Sequence, residues 1–381
     1  MVDTPRWPGW SALFCAVICM GLLSIFALFT RRVYSKYPSI NETANPSPYP
    51  PIEPLPDFDW KTKEPIKLRP FKPKYNLTMS IQDGTVSELI EIDKNYLNRI
   101  NLRKKIIAEH PDIVLAAADC VKPALDEFYI WLVGTYLPTR YPRMFQLSPA
   151  TGSGGGSGKK EEKQPAFLDN LVNGERVPVS PGGDKPLDTL RTLGGLIEDD
   201  LLFLLPSEDG DSYTLRGLVT CFPNGFNTSQ KLNLKLRDIH KPVPEYKEKL
   251  EKSMDRYFSR LPVGKFIMRA NWTITTTGEL FTPSGNHLYE GEEIPQETVN
   301  PDIARVRVER QYLHRLPQSQ ALVFSFKTLQ YSLDEIKDEG LGETLAEAID
   351  GLRQGNAPGF HFYKRAAVWG ESAKAYLTNH I

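Results

Sequence analysis

The chain has 381 residues, enough for one large core or two. Its 46 lysines and arginines nearly balance 47 aspartates and glutamates, so no basic excess points to nucleic acid. The four cysteines (Cys15, Cys19, Cys120 and Cys221) form no CxxC pair, which excludes a zinc ribbon or a cysteine-ligated iron–sulfur site within the chain and argues against a disulfide scaffold.

After a short tail, 1–9, residues 10–30 run without a charge. One bilayer crossing takes about 20 apolar residues. Bulky residues persist to Phe29, where a cleaved signal peptide would end in a small-x-small site, so the stretch reads as an uncleaved transmembrane anchor. Arg31, Arg32 and Lys36 follow it, and positive charge tends to stay cytosolic. The body is therefore expected on the cytosolic face of the endoplasmic reticulum membrane. Sequons at Asn41, Asn76, Asn227 and Asn271 would matter only in a lumen and oppose this orientation. Residues 31–74 form a linker in which Pro46, Pro48, Pro50, Pro51, Pro54 and Pro56 predict an extended, semi-rigid spacer.

The folded body is expected over 75–381. Apolar spacing predicts helices over 86–110 and 123–136. Residues 148–165 carry a glycine-serine and charged run that reads as a flexible insertion. It lacks the Gly-Lys-Ser/Thr ending of a phosphate loop. Strand character follows over 201–205, 215–222, 265–275 and 321–328. Between these lies a helix over 245–261, with Tyr246, Leu250, Met254 and Phe258 on one face. A last helix over 341–352 stops before Gly355 and Pro358. The pattern is α+β, a mostly antiparallel sheet with flanking helices.

Pro242 and Pro244 stiffen the chain just ahead of the 245–261 helix, so His240 sits on an elbow. An imidazole fixed this way suits a metal or haem iron, and equally suits a hydrogen bond that caps the elbow. Alternation over 305–311 puts Arg305, Arg307 and Glu309 on one face and Val306, Val308 and Arg310 on the other. Arginine forks suit carboxylates, although Glu309 could simply pair with a neighbouring arginine and brace the sheet. Two further polar clusters are Arg269-Ala270-Asn271-Trp272 and residues 358–364, which include His361 and Lys364.

Taken together, several segments resemble the haem-dependent oxidative N-demethylase family, which has fungal and bacterial members. They are Glu91-Ile92-Asp93 with Tyr96, residues 195–201, Cys221-Phe222-Pro223, residues 239–244, residues 269–272, residues 307–311 with Leu316-Pro317, and residues 358–364. The chain looks like a fungal, membrane-anchored member, and the likeness spans roughly 76–364. The resemblance implies a PAS-like fold that holds haem b through an axial histidine. It also implies oxygen activation and oxidative removal of a methyl group from a small-molecule amine. Electrons would come from a separate NADPH-dependent flavin and iron–sulfur reductase. On this chain it makes His240 the expected iron ligand, with His314 or His361 as replacements. Arg269 and Arg307 are expected at the haem carboxylates, and Arg269, Glu309, Arg310 and Gln311 at the chemistry. The anchor, the proline linker and the glycine-serine insertion depart from the family pattern.

Two other classes stay open at this point. A PAS-like haem or ligand sensor would not turn over, and fold alone does not decide. A sensor is expected to carry an output module, and none is recognised. A lumenal glycan-processing enzyme would share the tail, anchor and stalk. The positive charges that follow the anchor argue against it.

Overall fold

The computed structural model describes residues 48–149, 165–295, 297 and 299–379. The expected anchor at 10–30 and nearly all of the 148–165 insertion fall outside these residues. Among the described residues no helix is long and apolar enough to cross a membrane.

The strands are β1 (Gln82–Gly84), β2 (Leu115–Ala117), β3 (Phe145–Pro149), β4 (Pro165–Asn170), β5 (Glu175–Pro178), β6 (Asp200–Pro206), β7 (Tyr213–Val219), β8 (Phe266–Thr275), β9 (Arg305–Arg315) and β10 (Leu322–Ser332). The main helices are α1 (Tyr96–Glu109), α2 (Lys122–Trp131), α3 (Pro186–Leu196), α4 (Glu251–Arg260), α5 (Gly342–Gly351) and α6 (Ala366–Thr378). Seven strands make one sheet in the order β1-β8-β9-β10-β6-β7-β2, and every neighbouring pair is antiparallel. A second sheet, β3-β4-β5, places residues 150–164 in the connection between two paired strands.

The sheet is carried by β8, β9 and β10. β8 and β9 alternate a largely apolar face (Trp272, Ile274, Val306, Val308) with a polar one (Arg269, Asn271, Thr273, Arg307, Glu309, Gln311), the period that strand geometry demands. On one face, Val306 and Val308 pack with Trp272 and Leu329 against Ile349 of α5 and Trp369 of α6. Further along, α1, α2 and α3 bury Ile100, Phe128 and Leu193 in a core shared with Phe203 of β6.

Several boundaries differ from those the sequence suggests. The helix expected over 86–110 is a short turn, Val86–Glu88, followed by a break and then α1. A capping box of Thr85 and Glu88 closes the first turn, and the Asp93 carboxylate accepts from the Asn95 amide to start a new one. The 245–261 helix is likewise two pieces, Tyr246–Lys249 and α4, that join at Leu250. The helix α2 runs on through a π turn, Leu132–Tyr136, into Leu137–Arg140. Neither the second sheet nor α6 was expected.

The spacer expected over 31–74 needs a larger correction. From residue 48 onward it is a strap packed along the body. Tyr49 is buried among Trp131, Phe266 and His314, and Phe58 lies on Tyr141. Further on, Leu68 N donates to the Tyr331 hydroxyl at 3.1 Å and Arg69 pairs with Glu339 at 2.7 Å. The Tyr75 amide donates to Gly351 O at 3.0 Å. The strap runs so close to the end of α5 that a Cβ at Gly351 would lie 2.5 Å from Pro73 O, and one at Gly355 only 1.4 Å from Tyr75 O. No side chain fits at either position. The prolines do hold the chain extended, but its aromatic residues give it a surface to bury.

Candidate functional site

A cavity of ≈ 320 Å³ opens between one face of the sheet and the connection from β7 to β8. That volume falls within the range of small-molecule and cofactor pockets. Most of its wall is apolar, with Leu204 and Leu215 from β6 and β7, Phe324 from β10, and Met254 and Phe258 from α4.

His240 lies in this wall. The short helix Leu236–Ile239 ends on it, and the turn of Pro242 and Pro244 then drives Glu245 into a left-handed conformation, φ 57°, before the chain becomes helical again. The His240 ring is held twice. It stacks on Tyr246 at 4.7 Å and 16°, and Nδ1 lies 2.8 Å from Leu236 O. A carbonyl only accepts, so Nδ1 must carry the hydrogen. Nε2 is then the ring nitrogen left with a lone pair for a ligand in the cavity. Burial lowers the pKa of this imidazole, so the ring is held in the neutral form that binds metals. The hydrogen bond that would have served the cap is thus the same one that orients a metal ligand.

Another part of the wall is the polar face of β8 and β9. The register pairs Arg269 with Gln311, Asn271 with Glu309 and Thr273 with Arg307. Arg269, Asn271, Glu309 and Gln311 all line the cavity. Gln311 Nε2 donates to Glu309 at 2.9 Å. Arg269 Nε is buried with no hydrogen-bond partner, and burial lowers the guanidinium's pKa. An unsatisfied buried cation of this kind calls for an anion.

Arg307 and Arg310, expected at the haem carboxylates and at the chemistry, lie elsewhere. Arg307 is on the correct face but nearer the far end of the strand. There it donates to Phe222 O at 2.5 Å and Leu280 O at 3.0 Å, and so fixes two loops. Arg310 points to the other face, where it stacks on Tyr312 at 4.2 Å and donates to Glu88 O. Neither residue lines the cavity. His314 also faces away. Both of its ring nitrogens are unpartnered inside an aromatic box that includes Phe128, Trp131 and Phe266, and burial takes its pKa down to about 3. His361 is not in the cavity wall either.

Two cavity residues were not picked out as site candidates from the sequence. His287 comes from the loop between β8 and β9. Asn286 beside it donates to Asn224 Oδ1 at 2.9 Å, and the Leu288 amide donates to Tyr363 O at 3.1 Å, so the loop is pinned on both sides. The His287 ring packs on Tyr363 at 4.5 Å, and burial, helped by Lys364 and Arg307, takes its pKa down to about 3. The other is Lys364, which sits beside Asn271 with no carboxylate in salt-bridge range. A loop histidine has no periodicity to mark it, and Lys364 had been noted only as part of a cluster.

The Gly195–Leu201 motif turns out to support the site from behind. Arg103, fully buried, donates to Gly194 O at 2.8 Å, Glu198 O at 2.9 Å, Asp199 O at 3.0 Å and Asp200 Oδ1 at 2.6 Å. Asp200 in turn accepts from the Cys221 amide at 2.7 Å and the Phe222 amide at 2.9 Å. With Arg307 on the Phe222 carbonyl, the 221–223 turn is gripped from both sides, and Pro223 and Asn224 carry that grip to the cavity wall. Nearby, Lys327 pairs with Asp93 at 2.8 Å and Glu198 at 3.0 Å, both buried.

A flat, largely apolar cofactor with acidic edges fits this donor set. A neutral imidazole nitrogen is free on one wall, an unpartnered guanidinium stands on another, and aliphatic side chains lie between them. Comparison with known families agrees. The model of the family described as "Haem-dependent oxidative N-demethylase, alpha subunit-like" matches residues 80–374.

Proposed function

The chain belongs to the haem-dependent oxidative N-demethylase alpha-subunit-like family, and on that premise we propose that it binds haem b through His240 and oxidatively removes a methyl group from an amine. The observation that carries the reading is the Nδ1–H to Leu236 O hydrogen bond. It presents Nε2 of a neutral His240 to the one cavity that also holds Arg269, Glu309 and Gln311. The sheet supports a PAS-like assignment as well. Its five central strands run β8-β9-β10-β6-β7, so the first and last of the five are adjacent in the middle, and the helical connection after the second carries His240.

Bound haem would supply oxygen activation. The chain's own residues would do the rest. Arg269 would meet a haem carboxylate or another anion in the cavity. The Glu309 carboxylate, oriented by Gln311, would hold a protonated amine, and the apolar wall would keep water from the reacting atoms. Electrons would come from a separate NADPH-dependent flavin and iron–sulfur reductase. In this proposal residues 10–30 anchor the protein with the body on the cytosolic membrane face. Asn271 supports that side, because its amide faces the cavity and accepts from Lys364, where a glycan has no room.

The test is an absorption spectrum of residues 48–381 produced with haem supplied. Wild type is expected to show a Soret band. His240→Ala is expected to lose it or to convert it to a differently ligated form, with unchanged circular dichroism. An unchanged haem spectrum in the variant would refute the assignment.

A further inference from the structure

Among the cavity's side chains, Lys364 is the one whose surroundings fit a neutral amine better than a charged one. It is 4% exposed. Its Nζ has two hydrogen-bond acceptors, Asn271 Oδ1 at 2.9 Å and Trp272 O at 2.6 Å. An –NH₂ group has two hydrogens and one lone pair, so these partners satisfy both hydrogens and leave the lone pair free. An –NH₃⁺ group would have no oxygen for its third hydrogen and only the faces of the Tyr75, Trp272 and Phe360 rings. The groups around it are Arg269 on β8, Glu309 on β9, Tyr75 at the end of the strap, His287 and Tyr289 on the loop before β9, and Tyr363 on its own turn. None forms an ion pair with it, and the rings of Tyr75, Trp272 and Phe360 lie 5.3, 5.6 and 6.0 Å from Nζ. Burial first, and then the Arg269 charge, bring the Lys364 ammonium down to about 7 against the pull of Glu309. A lysine desolvated beside a second cation is the arrangement that leaves an amine unprotonated, and so free to act as base or nucleophile, at neutral pH.

We propose that Lys364 is the base of the cavity, and that it takes the proton from a protonated amine substrate held at Glu309. This deepens the N-demethylation reading and rests on it for the substrate. An aliphatic amine reaches the cavity as an ammonium ion, which has no lone pair on nitrogen to be oxidised. Glu309 can pair with that cation, but carboxylates as a class are much weaker bases than amines, so pairing leaves the proton on the substrate nitrogen. In the transfer the substrate N–H bond breaks, its electron pair stays on the substrate nitrogen, and a new N–H bond forms at Lys364 Nζ. The proton leaves to solvent once the product has gone.

The first experiment uses the wild-type full chain and needs neither haem nor turnover. Lysines are reductively methylated with formaldehyde and cyanoborohydride across a pH series, and each site is followed by peptide mass spectrometry. Lys364 is expected to label with a midpoint of about 7, well below that of the exposed lysines labelled in the same samples. A Lys364 midpoint with the surface lysines overturns the proposal. So does no labelling at any pH, since a group that formaldehyde cannot reach cannot meet an amine. Either failure strikes Lys364 alone and leaves the His240 assignment standing. The second experiment compares Lys364→Gln and Lys364→Met, the first of which keeps a donor for the Trp272 carbonyl. Both are expected to lose about a hundredfold in kcat/KM at pH 7 and to recover as rising pH supplies free amine. A loss that is equal at every pH would mark a structural tie and overturn the proposal.

Discussion

Asp200→Asn removes one negative charge and almost no volume, and it tests the clamp behind the cavity. The carboxylate uses both oxygens. Oδ1 accepts from Arg103 and the Cys221 amide, and Oδ2 accepts from the Phe222 amide. An amide has one acceptor oxygen. In its better orientation it keeps the Oδ1 contacts and turns an –NH₂ toward the Phe222 N–H, donor against donor. Arg103, 0% exposed, then keeps its charge without a counter-ion. Breaking one side of a buried pair costs on the order of 3–5 kcal/mol, a large part of a margin of about 5–15 kcal/mol. For a body of this size about 2 °C per kcal/mol gives a melting point lower by roughly 6–10 °C. Thermal melts and urea midpoints at one pH would measure it. Arg103→Met should cost a similar amount, and the double variant should cost less than the sum because the two residues act as one unit. If Asp200→Asn melts within about 2 °C of wild type, the clamp contributes little and this reasoning fails.

Further predictions concern a buried acid and the strap. Burial raises Asp199 to about 7, and one of its oxygens has no partner. A folded pKa above the unfolded one means that the stabilising contribution is complete below about pH 4 and is lost as pH rises toward 7. Asp199→Asn should therefore flatten the stability–pH curve over that window and raise the melting point at pH 8, and an unchanged curve would contradict it. Tyr49→Ala empties a site enclosed by Trp131, Phe266 and His314, and should cost about 3 kcal/mol by urea denaturation. A surface spacer would lose almost nothing there.

The site was legible where a period exists to be read. Alternation along 305–311 placed Glu309 on the face that proves to carry the cavity, and antiparallel pairing in register then brings Asn271 opposite Glu309 and Arg269 opposite Gln311. The same alternation put Arg307 on that face, but period tells which side a residue takes and not how far along the strand the cavity reaches. Arg307 falls beyond it and holds carbonyls instead. Arg310 was visibly on the other face, and the family likeness outweighed the geometry. His287 lies in a loop whose path is fixed by Asn224, Asn286 and Tyr363, contacts that no local pattern announces. The strap was missed for a different reason. Its prolines signalled extended chain correctly, while Tyr49, Ile52, Leu55, Phe58 and Trp60, spaced two to three residues apart, carried the unread signal that one side of it is buried.

The strap also sets an order of events during synthesis. It is made before almost everything it touches. The partners of Tyr49 include Phe266 and His314, Leu68 waits for the Tyr331 hydroxyl, Arg69 for Glu339, and Tyr75 for Gly351. Leu68 and Tyr331 are 263 residues apart. At about 5–20 residues per second, a ribosome needs tens of seconds to supply that interval. Through that time the stretch from Leu68 to Tyr75 has no completed surface to cover, and it closes over the body only after β10 and α5 have left the ribosome, whereas Phe58 and Trp60 meet Tyr141 and Tyr96 much earlier. An early segment is thus among the last to be secured, and the cavity wall that Tyr75 contributes is finished only when residues 351–360 have folded.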